Sequence, residues 1–338
     1  MPKSRQSQET VLLLNVDSHR AIWNLPAGTV EEIGARFPRI KVLKTSEKTP
    51  LRAAIAQADI LYTWHLPREV FPLAKRLQWV HTPAAGVDHL LYPTFVQSDV
   101  LLTNSRGLAG DAMADHAFSL ILALARRLPD AVRFQVQHRW GQEVLWTTPP
   151  PPVALQGKVL GIVGLGGVGA HLAARARAFG MTVVATRWSS TKKPASVAKV
   201  YPPGELSELL AESDFVALCP PLTAQTRGMI GRKELRRMKK SAFLVNVGRG
   251  ELVQDAAIIA ALREGWIGGA ALDVFAREPL PRNSVFWNLP RLLITPHYAG
   301  TYPEHVTRAT ALFLENLKWF LAGKTKRLKN LVDKGRGY

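Results

Sequence analysis

Apolar residues in this chain fall into short runs rich in branched and aromatic side chains, separated by segments whose apolar positions recur at helical spacing. Residues 11–16, 40–43, 59–62, 77–81 and 100–103 read as strands, with short helices at 31–36, 51–57 and 67–75 between them. A second series places strands at 159–163, 182–185, 215–218, 243–247, 270–273 and 292–295. Strands alternating with helices predict parallel sheets, so the fold class is α/β, in two parallel-sheet domains. Residues 111–128 predict one long helix, whose run Phe118-Ser119-Leu120-Ile121-Leu122-Ala123-Leu124 is apolar nearly all round, as in helices buried between domains or subunits. Thr147-Thr148-Pro149-Pro150-Pro151-Pro152 suits neither a helix nor a central strand and marks an exposed connection. The last helix, about 303–321, stands outside the second series and is expected to pack back on the first domain.

Composition narrows the class. A chain of 338 residues, 47% of them hydrophobic, can build two cores. No apolar run approaches the roughly 18 residues that span a bilayer, and Val11-Leu12-Leu13-Leu14 is too short for a signal-peptide core, so a cytoplasmic protein without a membrane partner is expected. The single Cys219 excludes an internal disulfide and a cysteine zinc cluster. His65, His81 and His89 have no supporting carboxylate or ligand spacing, so no metal is expected. The formal charge of +18 raises the prospect of a polyanionic partner. The basic residues are scattered, however, with one dense run at Lys324-Thr325-Lys326-Arg327-Leu328-Lys329, and no zinc-finger or RNA-binding signature accompanies them. The charge therefore reads as solubility and attraction of anionic ligands, not nucleic-acid binding.

The sharpest local signal is Val159-Leu160-Gly161-Ile162-Val163 running into Gly164-Leu165-Gly166-Gly167-Val168-Gly169 and then an Ala-rich helix. Strand, glycine turn and helix in that order predict a dinucleotide site, with Gly164, Gly166, Gly167, Val168 and Gly169 around the pyrophosphate and the helix N-terminus supplying amides and positive dipole. About 20 residues further on, where an NAD enzyme carries an acid for the ribose 2′-hydroxyl, stands Arg187, followed by Ser189 and Lys192. Those residues suit a 2′-phosphate, which favours NADP(H) and leaves NAD(H) as the lesser possibility.

Three further segments carry chemistry: Asn246-Val247-Gly248-Arg249-Gly250-Glu251-Leu252-Val253, then Leu272-Asp273-Val274-Phe275-Ala276-Arg277-Glu278-Pro279-Leu280, then Thr295-Pro296-His297. An arginine fork can hold a carboxylate by two bonds at once. A histidine suits proton transfer near neutral pH, and a neighbouring carboxylate stabilises its imidazolium and fixes its orientation. With the glycine turn, these segments resemble the signatures of the D-isomer-specific 2-hydroxyacid dehydrogenases. The resemblance implies Arg249, Glu278 and His297 as the catalytic groups, with Arg249 also contacting the substrate. It further implies Asp273 and the Val247 carbonyl at the nicotinamide carboxamide, and Pro221 and Thr226 in the loop beneath the nicotinamide ribose.

In the first domain, Thr82-Pro83-Ala84-Ala85-Gly86-Val87-Asp88 resembles the family's substrate loop, which assigns the amides of Ala85 and Gly86 to the substrate carboxylate. Ala84 stands where many relatives have serine, and contacts made by backbone make that departure minor. Thr63-Trp64-His65-Leu66-Pro67 and the ending Val332-Asp333-Lys334-Gly335-Arg336-Gly337-Tyr338 look like the A-type bacterial glyoxylate/hydroxypyruvate reductases, implying that Trp64 walls a small pocket. The resemblance also implies two Rossmann-like or flavodoxin-like domains with a cleft between them, a discontinuous substrate domain, 1–104 and 299–338, around a dinucleotide domain, 105–298, and a homodimer built partly on helix 111–128. The activity so implied is NADPH-dependent reduction of a small 2-oxo acid to the D-2-hydroxy acid. A reductase for bulkier acids such as phenylpyruvate is the near alternative. A dinucleotide-sensing scaffold is the distant one, against which the complete set of Arg249, Glu278 and His297 argues.

Overall fold

A computed structural model describes residues 9–18, 20–187 and 193–338. They divide into two compact units, one reaching Leu108 and resuming at Tyr302–Tyr338, the other formed by Ala109–Thr301.

The first unit contains strands β1 (Thr10–Asn15), β2 (Ile40–Lys44), β3 (Ile60–Thr63), β4 (Trp79–Thr82) and β5 (Leu101–Asn104), all parallel, in the order β2-β1-β3-β4-β5. Every residue of β3 and β4 is buried, the polar Thr63, His81 and Thr82 included, so neither strand shows the alternation of a half-exposed sheet. Alternation along β1 sends Leu13 to one face and Leu12 and Leu14 to the other. Leu13 joins Leu61, Val80 and Leu102; Leu12 and Leu14 join Ile60, Trp79 and the Phe313, Leu314 and Leu317 of the helix His305–Leu321. The last helix thus covers the first sheet. The chain after it runs along the sheet edge, where the Val332 amide donates to the Leu102 carbonyl at 2.8 Å.

The second unit holds β6 (Val159–Val163), β7 (Thr182–Thr186), β8 (Lys199–Tyr201), β9 (Phe215–Leu218), β10 (Phe243–Asn246), β11 (Gly269–Leu272) and β12 (Leu292–Ile294) in one parallel sheet, ordered β12-β11-β10-β9-β6-β7-β8. From β6 the chain steps outward to β8, then returns to lay β9 on the other side of β6. Strand order therefore reverses between β6 and β9, where open parallel sheets bind ligands beyond the carboxyl ends of their strands. The helix Gly110–Ala125 buries Ala114, Ala117, Phe118 and Ile121 in this unit's own core, against Leu172, Ala173 and Ala176 of the helix Gly167–Ala178.

Three local expectations fail for identifiable reasons. Residues 67–75 form turns and a single 3-10 turn, Phe71–Leu73, because Pro72 has no N–H to continue a helix. The long helix stops at Ala125, since Arg127 takes a left-handed φ of 56° and a new helix, Leu128–Val136, starts there with proline in its first turn. Strand β8 escaped notice because three residues on a sheet edge are too few to display an alternation. Among the described residues no helix is long and apolar enough to cross a membrane.

Candidate active site

The predicted dinucleotide and catalytic segments follow the carboxyl ends of six neighbouring parallel strands. The glycine turn follows β6, Arg187 follows β7, residues 219–226 follow β9, Val247 to Arg249 follow β10, Asp273 to Glu278 follow β11 and His297 follows β12. One sheet edge thereby gathers segments spread over more than a hundred residues.

The turn fits a pyrophosphate on its own geometry. Gly164 has φ of 94°, and a Cβ there would stand 2.7 Å from the Pro220 nitrogen, so only glycine brings the turn onto the loop after β9. Thr186 holds the turn from β7, its hydroxyl accepting from the Gly164 amide at 3.1 Å and its carbonyl from Leu165 at 2.8 Å. A Cβ on Gly166 would meet nothing within 4 Å, leaving open space above the turn. Gly166 provides no side-chain cap, so the first-turn amides at Gly167, Val168 and Gly169 are available to an anion, with the helix dipole behind them.

Across the reversal point, Thr226 donates through its hydroxyl to the Pro221 carbonyl at 2.7 Å and accepts from the Thr223 amide at 2.8 Å, which makes 221–226 a self-braced loop. Half-buried Cys219 packs beside the core, and loss of hydration pushes its thiol up to about 12, as suits a packing residue and not a nucleophile. Arg187 is half-buried at the end of β7, its amide donating to the Tyr201 carbonyl of β8 at 3.3 Å. Ser189 and Lys192 lie outside the described residues.

The three candidate catalytic residues come together. His297 Nδ1 and Glu278 Oε2 are 2.5 Å apart, while the other Glu278 oxygen accepts from the Phe275 amide at 2.8 Å. Burial raises the Glu278 pKa, but the bonds from His297 and Phe275 and the charges of His297 and Arg249 outweigh it and hold the carboxyl below its ordinary value. A carboxylate only accepts, so Nδ1 carries the hydrogen and Nε2 is left for other work. His297 adopts φ of 49°, pinned by its amide's 2.8 Å bond to the Asp273 carbonyl. Arg249 sits in a turn braced by the buried Asn246, whose side chain donates to the Arg249 carbonyl at 2.8 Å and accepts from the Gly248 amide at 3.1 Å. The loops after β10 and β11 are in close backbone contact, because a Cβ on Gly250 would lie 1.9 Å from the Phe275 carbonyl carbon.

Asp273 is 1% exposed and already committed. It accepts from the Thr295 hydroxyl at 2.6 Å, the Tyr298 amide at 3.3 Å and the Ala299 amide at 3.1 Å, with His116 Nε2 at 3.3 Å. A carboxylate offers about four acceptor positions, so Asp273 foremost anchors residues 295–299. Val247 is likewise buried, with its amide donated to the Leu218 carbonyl at 3.4 Å. Sequence reasoning missed Asn246, His116 and the Phe275 amide as supports; only the place of Asn246 at a strand end, before a glycine, hinted at one of them.

The remaining predicted residues lie in the first unit. Trp64, after β3, is half-buried, with Nε1 donating to the Trp23 carbonyl at 3.4 Å. Ala85 and Gly86, after β4, have amides that donate to no acceptor among the described residues, as a carboxylate-binding loop requires.

Residues 118–299 match the family described as D-isomer specific 2-hydroxyacid dehydrogenase, NAD binding domain. The chain is 39% identical over 280 residues to a glyoxylate reductase of Korarchaeum cryptofilum, covering 81% of each. Its fold is similar to that of a D-isomer specific 2-hydroxyacid dehydrogenase family protein from Aeromonas salmonicida, with a TM-score of 0.80 at 30% identity over 97% of this chain and 100% of the other. It is also similar to an NADPH-dependent glyoxylate/hydroxypyruvate reductase from Sinorhizobium meliloti, in complex with NADP and sulfate, with a TM-score of 0.79 at 26% identity over 97% of this chain and 100% of the other.

Proposed function

The chain belongs to the D-isomer-specific 2-hydroxyacid dehydrogenase family, and from that membership we propose that it reduces a small 2-oxo acid of the glyoxylate or hydroxypyruvate type to the D-2-hydroxy acid, with NADPH preferred. The observation that carries this reading is the Glu278–His297 pair at 2.5 Å, with the charge of Arg249 acting on it, on the sheet edge that also bears the glycine turn. Bound at that turn, a nicotinamide dinucleotide supplies the hydride. Arg249 engages the oxo-acid oxygens through its planar fork and draws charge onto the carbonyl oxygen. The Ala85 and Gly86 amides take the carboxylate. The His297 imidazolium, its Nδ1–H held by Glu278, gives the Nε2 proton to the developing alkoxide, and the half-exposed ring recovers a proton from water. Asp273 serves by fixing the loop that aims His297.

Arg187, standing where an acid would repel a 2′-phosphate, supports the NADPH preference, as does the NADPH dependence of the Sinorhizobium meliloti relative. A homodimer belongs to the same reading. Leu128, Val132, Val136, Trp140 and Trp146 are more than half exposed along the helices Leu128–Val136 and Gln142–Thr147 and the loop between them, apolar surface that favours cover by a second copy, and light scattering in solution tests it.

The proposed activity is tested with glyoxylate, hydroxypyruvate and phenylpyruvate under NADPH and NADH in parallel, followed by loss of reduced-nicotinamide absorbance. A clear preference for phenylpyruvate removes the small-substrate assignment, and no oxidation with any of the acids removes the enzyme. His297→Ala is expected to lower turnover about 10²–10⁴-fold while NADPH binds as before.

A further inference from the structure

The first unit contains a buried histidine to which the proposed reaction gives no part. His305 opens the helix His305–Leu321 and is 5% exposed. Its Nε2 lies 2.9 Å from the Pro83 carbonyl oxygen. A carbonyl only accepts, so Nε2 carries the hydrogen and in the neutral ring Nδ1 is bare. That Nδ1 is buried with no hydrogen-bond partner among the described residues, and burial holds the ring's pKa below its ordinary value. Protonation would add a buried donor without an acceptor, so the ring stays neutral and Nε2 stays a donor to Pro83. Its face stacks on Trp64 with centroids 5.9 Å apart and planes at 19°, and the Trp23 and Tyr302 rings meet it edge-on at 5.7 and 5.4 Å.

The loop shows what this donor does. Four consecutive carbonyls each accept a bond from the unit's interior: Thr82 from the Ser105 hydroxyl at 3.1 Å, Pro83 from His305, Ala84 from the Ser105 amide at 2.9 Å, and Ala85 from the Asn104 side chain at 2.6 Å. In a trans peptide the C=O and the following N–H point oppositely. Carbonyls held inward at Ala84 and Ala85 therefore turn the Ala85 and Gly86 amides outward, and His305 holds the peptide just before that pair, Pro83–Ala84, whose own N–H donates to the Thr82 hydroxyl at 3.3 Å. We propose that His305 is a positioning residue for the substrate carboxylate, setting the amides of Ala85 and Gly86 through Pro83 and the plane of Trp64 through its ring. The inference rests on the assignment of that loop and of Trp64 to the 2-oxo acid.

The test uses the full chain saturated with NADPH and oxalate as a carboxylate that cannot be reduced, with calorimetry for affinity. His305→Phe keeps the stack and removes the donor; His305→Gln keeps a donor near the Nε2 position. Oxalate affinity is expected to fall about tenfold in His305→Phe and to recover largely in His305→Gln, with NADPH affinity unchanged in both. The KM for an accepted 2-oxo acid should rise in parallel while kcat stays within about twofold. Wild-type oxalate affinity in His305→Phe, a His305→Gln variant as weak as a donor-less ring, or a wild type that does not bind oxalate overturns the proposal. Oxalate binding that depends on His305 in a protein that reduces none of the 2-oxo acids supports the positioning role and removes the proposed activity instead. Should His305→Phe fail to fold, a tenfold loss of oxalate affinity in well-folded His305→Gln still overturns it.

Discussion

Replacing Gly250 by alanine tests whether the loops after β10 and β11 act as one piece. Gly250 follows Arg249 directly, and the added Cβ would lie 1.9 Å from the Phe275 carbonyl carbon and 2.3 Å from the Ala276 nitrogen. Both obstacles are backbone, and the Phe275 amide is itself tied to Glu278. Restoring an ordinary contact requires the loops to part by about 1.5 Å, which carries Arg249 away from the Glu278–His297 pair by a similar amount. Misplacement of about 1 Å at reacting groups costs about 10²-fold in rate. We therefore expect kcat/KM for the best 2-oxo acid to fall at least about 10²-fold, equivalent to about 2.7 kcal/mol. Overpacking of this kind also costs about 1–3 kcal/mol of stability, visible in a thermal melt. Dinucleotide affinity should change little, because the glycine turn follows β6 and strand β9 lies between it and β10. A Gly250→Ala protein with kcat/KM within threefold of wild type and an unchanged melting temperature would refute the reasoning, since Arg249 would then be placed independently of the loop that carries Glu278.

Two more predictions follow from the charged groups on the same sheet edge. Arg187→Asp should lower the ratio of NADPH to NADH efficiency by at least about 30-fold, the worth of one charged hydrogen bond of about 2 kcal/mol; an unchanged ratio places recognition of the 2′-phosphate elsewhere. Asp273→Asn should destabilise the protein at neutral pH by about 1–3 kcal/mol, because the neutral amide cannot accept every bond the carboxylate takes. Burial alone would raise the Asp273 pKa, yet the bonds from His116, Thr295 and Ala299 hold it below its ordinary value of 3.8. A carboxyl depressed on folding stabilises above its unfolded pKa and loses that contribution as pH falls through the folded one. The gap in melting temperature between wild type and Asp273→Asn should thus be full from about pH 5 upward and narrow below about pH 4; a gap that widens on acidification contradicts this account.

Strands β3, β4, β9, β10 and β11 were legible in the sequence because sheets covered on both faces demand runs that are mostly apolar. The edge strand β8 was not, because its three residues are too few to show an alternation, and the helical spacing at 67–75 misleads because Pro72 within it stops the helix. The same division runs through the candidate site. Arg249, Glu278 and His297 announce themselves because their side-chain chemistry is specific and a short motif surrounds each one. Their supports do not: His116 and Thr295 stand 3.1 Å apart in space but 179 residues apart in the chain, and no local pattern foretells such a meeting.

The loop after β4 carries that contrast furthest. The atoms proposed to face a ligand there are peptide amides, which every residue but proline possesses, so the identities of Ala85 and Gly86 say little about what they would bind. What distinguishes them is the row of carbonyls at Thr82, Pro83, Ala84 and Ala85, each spent on an inward donor supplied by Asn104, Ser105 or His305. An amide is left without a partner among the described residues here because the carbonyl of its own peptide has been claimed. The information for the proposed site therefore resides in residues behind the loop: two at the end of β5 and one at the start of the last helix, more than two hundred residues from the loop. A substitution at His305 should for that reason read as a substrate-binding defect although the side chain is buried, whereas most substitutions at Ala84, whose backbone alone is engaged, should leave binding nearly unchanged.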